Sequence, residues 1–195
     1  MRVIIINRRK LGVTFIMIGL MIILLGLELT FDSKLKLAAL VQNNISSLKS
    51  YSSLENKFTY KLPSSWDTEV KDMSGDEIIY HNDFYSDDRL IHGFVQAWNT
   101  KVNLKSFLDK SKEASLEQNI VKNYKITPIT INKHSGYLVT YTIKTSKDTY
   151  YRCYEYFLSD TNKYFRFAFF VKEQNFKENM TSVFKIIVES FNYKE

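Results

Sequence analysis

Between positions 81 and 92 the chain gathers two histidines and three aspartates, in the run His81-Asn82-Asp83-Phe84-Tyr85-Ser86-Asp87-Asp88-Arg89-Leu90-Ile91-His92. Imidazole nitrogens and carboxylates are common ligands of divalent cations. In a symmetric hairpin His81 and His92 would stand opposite each other, with Asp83, Asp87 or Asp88 completing a site. The spacing matches no recognised metal motif, and acidic hairpin loops are usually solvated. No metal ligand is therefore assigned.

The second candidate is Cys153, the single cysteine of the chain. A nucleophilic cysteine needs its thiolate stabilised by a cationic neighbour. Arg166 lies on the next expected strand, and His92 precedes both. With a turn at Asp160-Thr161, however, Glu155 rather than Cys153 pairs with Arg166 as a cross-strand ion pair. A lone strand cysteine is most often a small core residue. Gly-rich phosphate loops, H-E-x-x-H and G-x-S-x-G are absent. Ser46-Ser47-Leu48-Lys49 and Ser182-Val183-Phe184-Lys185 match S-x-x-K without a companion K-T-G, and are read as chance. His134, beside Ser135-Gly136, is expected in solvent. A carbohydrate or cell-wall binder would need Trp98 or several tyrosines presented to solvent. The sequence thus assigns no catalytic residue, no cofactor and no metal.

The elements that must position these groups follow from hydrophobic periodicity. Lys57–Leu62 reads as a strand stopped by Pro63, then Trp66–Lys71. Glu77–Asn82 and Leu90–Trp98 form a hairpin around a polar loop, Asp83–Arg89. Asn103 caps a helix carrying Leu104, Phe107 and Leu108 and running to about Asn119. Four strands follow, about Lys122–Asn132, Ser135–Lys144, Thr149–Leu158 and Lys163–Lys172, with turns at Ser135-Gly136 and 159–162. The last pair is aromatic on both faces, so the sheet must be covered on both faces. Asn175 and Glu178 resemble a capping box before a helix whose stripe is Phe176, Met180, Val183, Phe184, Ile187 and Phe191. The fold class is α+β, a mostly antiparallel sheet flanked by helices.

Composition fits one ordinary packed domain: 195 residues, 45% hydrophobic and 15% aromatic, with six Gly, two Pro and one Cys. Collagen-like, low-complexity and disulfide-stapled classes are excluded. The N-terminus differs from the rest. Arg2, Arg8, Arg9 and Lys10 precede a run from Leu11 to Leu27 in which only Thr14 can hydrogen-bond through its side chain. That length is the lower limit for a hydrocarbon core of ~30 Å. Leu29 and Phe31 extend it if Glu28 reaches the interface. The cationic flank places residues 1–31 as a cytoplasmic tip and transmembrane signal anchor, with the remainder extracytoplasmic. No small-x-small cleavage pattern follows closely, so the anchor is read as uncleaved. Gly12, Gly19 and Gly26 form one helical stripe, through which two copies could associate as a homodimer.

Residues 32–54 read as a stalk, in which Asp32 caps a short helix and Ser46, Ser47, Ser50, Ser52 and Ser53 mark a flexible connection. The net charge of +6 then divides into +3 on residues 1–31 and +3 on the rest, too balanced outside the anchor for nucleic acid.

The run Phe58-Thr59-Tyr60-Lys61-Leu62-Pro63-Ser64-Ser65-Trp66 resembles the F-x-Y-x-x-P-x-x-W opening of PsbP-like domains. The helix at Asn103-Leu104-Lys105-Ser106-Phe107-Leu108, the Gly136 strand, the aromatic hairpin Tyr150–Val171 and the ending Phe184–Phe191 follow in that family's order. The resemblance spans residues 55–193. It implies an αβα sandwich and a non-enzymatic extracytoplasmic module that docks on another envelope protein, in prokaryotes often tethered to the membrane. The metal and chloride roles of photosynthetic members do not carry over, because no binding residue matches. A membrane-anchored β-domain with one cysteine also resembles the sortases, which use a His, a strand Cys and an Arg on the following strand. This rival implies a transpeptidase using Cys153. Against it, Thr149-Tyr150-Tyr151-Arg152 departs from the Thr-Leu-x-Thr of that family, and an amphipathic C-terminal helix has no place in its barrel.

Overall fold

A computed structural model of the chain describes residues 17–22, 34–73, 77–99, 102–117, 121–145 and 147–194. Among the described residues ten strands form two antiparallel sheets. The small sheet has the order β1-β2-β10, from Leu48–Ser53, Phe58–Pro63 and Asn192–Tyr193. The large sheet has the order β3-β4-β5-β9-β8-β7-β6. Its strands are β3 (Asp67–Val70), β4 (Ile78–Tyr85), β5 (Ile91–Asn99), β6 (Val121–Ile131), β7 (His134–Lys144), β8 (Tyr150–Asp160) and β9 (Lys163–Lys172). Residues 34–42 are helical ahead of the sheets; within the sheet-forming part the first helix, Leu104–Glu117, lies between β5 and β6, and a second, Met180–Glu189, precedes β10. The α+β expectation of a flanked antiparallel sheet holds.

Side chains alternate across a strand, so the aromatic hairpin feeds two cores. Phe165, Phe167, Phe169 and Val171 of β9 join Phe58, Tyr60 and Leu62 of β2 with Val183, Phe184 and Ile187 of the C-terminal helix. The stripe read from sequence is this helix's buried face. Phe169 stacks on Phe184 at 4.3 Å between centroids. On the opposite face Phe157 and Val139 pack under Leu104 and Leu108 of the first helix.

Several local expectations are corrected. Residues 48–53, taken as flexible because of their serines, form β1 and pair with β2 from Leu48↔Pro63 to Ser53↔Phe58. Tyr51 faces inward and stacks on Tyr60 at 5.4 Å, and Leu48 packs on the same core, so two apolar contacts anchor a serine-rich strand. The Asn175–Glu178 capping box does not form. Glu173–Asn175 is a 3-10 turn, and the helix begins after Asn179 without a side-chain cap. The turn between β6 and β7 is Asn132-Lys133, with φ of 50° and 71°, so Ser135 and Gly136 lie inside β7. The Asn132 amide donates to the carbonyls of Glu189 (2.8 Å) and Phe191 (2.7 Å), tying this turn to the end of the C-terminal helix.

No helix among the described residues is long and apolar enough to cross a membrane. The proposed span 11–27 lies outside the described residues except for 17–22, which are helical with Met17, Ile18, Leu20, Met21 and Ile22 exposed. Gly12 and Gly26 also lie outside them, while the surroundings of Gly19 are open.

Candidate functional site

The β4–β5 hairpin is centred two residues later than a symmetric His81–His92 pairing requires. Tyr85 faces His92, and His81 faces Gln96. Asp83, Phe84 and Tyr85, expected in a loop, belong to β4, where Phe84 is fully buried and stacks on Trp66 at 5.3 Å. The two histidines therefore cannot share a ligand across the ladder.

His81 is instead the centre of a hydrogen-bond chain along one face of β4 and β5. Trp98 Nε1–H donates to Gln96 Oε1 (2.9 Å), which fixes the orientation of the Gln96 amide. Gln96 Nε2 then donates to His81 Nδ1 (2.9 Å). His81 Nε2 must carry the proton, because its partner is Asp83 Oδ1 at 2.8 Å. Lys71 Nζ donates to Asp83 Oδ2 (2.5 Å). Burial opposes ionisation of Asp83, but the Lys71 and His81 donors outweigh it and hold its carboxyl below the ordinary range. Among the described residues no group of three or more His, Cys, Asp or Glu is arranged to hold a metal. Asp88 accepts from the Ser86 hydroxyl (2.6 Å) and the Leu90 amide (3.0 Å), closing the hairpin turn. His92, its protonation disfavoured by burial, packs against Phe170 and the edge of Tyr151.

A second cluster adjoins it on the same face, beginning at Arg166 of β9, which faces Gln96 across the ladder. Arg166 Nε donates to Glu155 Oε2 at 2.7 Å, and the Tyr141 hydroxyl donates to Glu155 Oε1. Glu155 is only 3% exposed. The Arg166 guanidinium sits over the Phe94 ring (4.8 Å) and the Phe157 ring (5.3 Å). Burial, and then the Glu155 charge, push the Tyr141 hydroxyl far up from its ordinary value. Sequence reading paired Glu155 with Arg166 but placed them directly opposite. In the register Glu155 faces Ala168 and Arg166 faces Phe157. The two meet diagonally, over the small Ala168.

Cys153 is fully buried. Its Sγ lies 3.6 Å from the Tyr151 carbonyl, and burial with the nearby Glu155 charge pushes the thiol up to about 12. A transpeptidase needs the opposite shift. The cross-strand partners of Cys153 are Tyr141 and Phe170, so neither Arg166 nor His92 stands opposite it.

The concave surface of this face lies along the first helix. Phe107, Phe157 and Arg166 wall two adjoining clefts. One, about 220 Å³, is completed by Trp98, Tyr164, Val102 and Glu77. The other, about 180 Å³, has Tyr124, Tyr141 and Glu155 on its floor. Gln96, Tyr141 and Lys71 were not singled out from sequence. Strict alternation along β5 places Gln96 and Trp98 on one face, and that was the available signal. The exposed aromatic platform of a carbohydrate binder is missing at the expected rings: Trp98 is half-buried against Phe107, Tyr156 is buried, and Tyr154 stacks on Phe176 at 5.6 Å. His134, expected in solvent, is half-buried against Phe191 and lies 3.0 Å from Asp160.

This architecture is the PsbP fold. The chain resembles the solution structure of cyanobacterial PsbP (CyanoP) from Synechocystis sp. PCC 6803, with a TM-score of 0.58 and 12% identity, over 77% of this chain and 94% of that one. A crystal structure from Bacteroides thetaiotaomicron superposes with a TM-score of 0.49 and 16% identity, over 75% of this chain and 48% of that one. LpqN, involved in cell envelope biogenesis of Mycobacterium tuberculosis, gives 0.47 and 9%, over 76% and 91%. No protein-family model and no curated protein matches the chain.

Proposed function

We propose that this chain is a non-catalytic binding module, anchored in the membrane by residues 11–27 with its folded body outside the cytoplasm, and that it docks on another envelope protein. One observation carries the reading. The groups able to do chemistry are bonded to one another inside the sheet face: Trp98, Gln96, His81, Asp83 and Lys71 in one chain, Tyr141, Glu155 and Arg166 in another. Such mutually satisfied networks hold a surface rigid, as a docking face requires. The likeness of fold to CyanoP supports the same reading. The basic flank and apolar run of the N-terminus support the anchor and its orientation. The balanced charge of the remaining chain favours a protein partner over nucleic acid.

The clefts on either side of Phe107 are the surface proposed for docking, since Phe107 is 37% exposed and flanked by Trp98 and Arg166. Aromatic and Arg side chains around a concave site are favourable anchors for a partner. A photo-crosslinking residue at Phe107 in the membrane-embedded protein tests this: a discrete adduct that survives Cys153→Ala supports binding without catalysis. Protease applied to spheroplasts tests the topology. It should degrade the folded body and spare the N-terminus, and protection of the body would reverse the orientation.

A further inference from the structure

Residues 34–42 are helical and face two ways. Lys36, Ala39 and Leu40 turn toward the folded body: Leu40 packs on the main core, and Lys36 Nζ lies 2.8 Å from Glu189 Oε2 at the end of the C-terminal helix. Ile45 is buried in the same core, and the Ser47 and Ser64 hydroxyls are 2.5 Å apart. The segment read as a flexible stalk is therefore fixed to the domain. Its other face carries Lys34, Leu37, Ala38 and Val41, at the i, i+3, i+4, i+7 spacing of a single helical stripe. Leu37 is 62% exposed and Val41 64%.

We propose that this stripe lies on the bilayer surface, so that the helix is held between the lipid and the domain. The proposal rests on the anchor reading given above. Only six residues, 28–33, separate Leu27, the end of the apolar run, from Lys34, a path of seven Cα–Cα steps. That is a reach of at most about 25 Å even when fully extended. The stripe is thus confined near the membrane the run would enter. Its chemistry is that of an interfacial helix: apolar side chains enter the headgroup–acyl boundary, and a lysine at the edge meets anionic headgroups. Docked on the core on one side and on lipid on the other, the helix sets a fixed orientation of the domain.

The test uses the full chain with Cys153→Ala, reconstituted in phosphatidylcholine–phosphatidylglycerol vesicles containing two sets of nitroxide lipids, one labelled near the headgroup to reach positions 37 and 41 and one labelled deep in the acyl chain to reach position 20. Single cysteines are introduced as Leu20→Cys, Leu37→Cys, Val41→Cys and Val70→Cys and carry an environment-sensitive fluorophore. The proposal expects quenching at 37 and 41 within about twofold of that at 20, and little at 70. Quenching at 20 without quenching at 37 and 41 overturns the proposal and leaves the anchor standing. Absence of quenching at 20 overturns the anchor reading itself. Efficient Val41→Cys disulfide dimers, with 37 and 41 shielded from lipid, would assign the stripe to a second copy and also overturn the proposal.

Discussion

Arg166 and Glu155 meet diagonally across β9 and β8, with Arg166 Nη2 2.6 Å and Nε 2.7 Å from the same carboxylate oxygen, Oε2. The Tyr141 hydroxyl takes the other oxygen. Glu155 is thus a buried carboxylate with a partner on each oxygen. Arg166→Met would remove its counter-ion and leave the carboxylate stranded. Losing one partner of a buried pair costs about 3 kcal/mol. A melting point lower by ~10 °C is expected by calorimetry. The double variant Arg166→Met, Glu155→Leu should recover most of it, because removing both charges also removes the desolvation cost.

Asp83 predicts the acid limb of stability. Its folded carboxyl titrates below the ordinary range, because Lys71 and His81 outweigh the effect of burial. The stabilisation is therefore complete above the unfolded value of about 3.9, and is lost as pH falls through the lower folded value. Denaturant titrations should show wild type more stable than Asp83→Asn at neutral pH. That difference should shrink below about pH 4. A difference that grows on acidification would contradict the assignment.

Cys153 should be inert in the folded state. With its thiol pushed up to about 12 and its side chain buried, almost no thiolate is present near neutrality. Iodoacetamide at pH 8 should alkylate the native protein on the order of a thousandfold more slowly than the urea-unfolded chain. Comparable rates would revive the nucleophile reading.

Gly93 marks a close approach of strands. A Cβ there would fall 1.9 Å from the Ala168 carbonyl oxygen and 2.7 Å from Phe84 Cζ. Backbone cannot yield as a flexible side chain does, so Gly93→Ala should destabilise by about 3 kcal/mol. Urea unfolding measures it directly.

What could be read in advance was what periodicity encodes. The aromatic alternation of Tyr150–Val171 and the stripe from Val183 to Ile187 specify their elements, because burial of one face dominates their energetics. The failures have local physical causes. Leu48–Ser53 becomes a strand because β2 offers an edge and Tyr51 a stacking partner, and both are tertiary facts. His81 meets Gln96 because β4 continues through Phe84, whose burial beside Trp66 overrides the polar look of its neighbours. Sequence pattern favours a turn at Ser135-Gly136, whereas the chain turns at Asn132-Lys133, where asparagine tolerates positive φ. Gly136 is needed elsewhere, since a Cβ there would fall 1.9 Å from the Phe157 carbonyl oxygen. At the candidate site, Cys153, Glu155 and Arg166 were visible as residue types. Their diagonal geometry was not, because register decides it.

The most direct measurement of the account is photo-crosslinking from Phe107 in native membranes, compared between wild type and Cys153→Ala of equal thermal stability. A non-catalytic docking module predicts one discrete envelope-protein adduct of the same yield in both. An adduct, or an activity, that disappears with the thiol while the fold persists would contradict it.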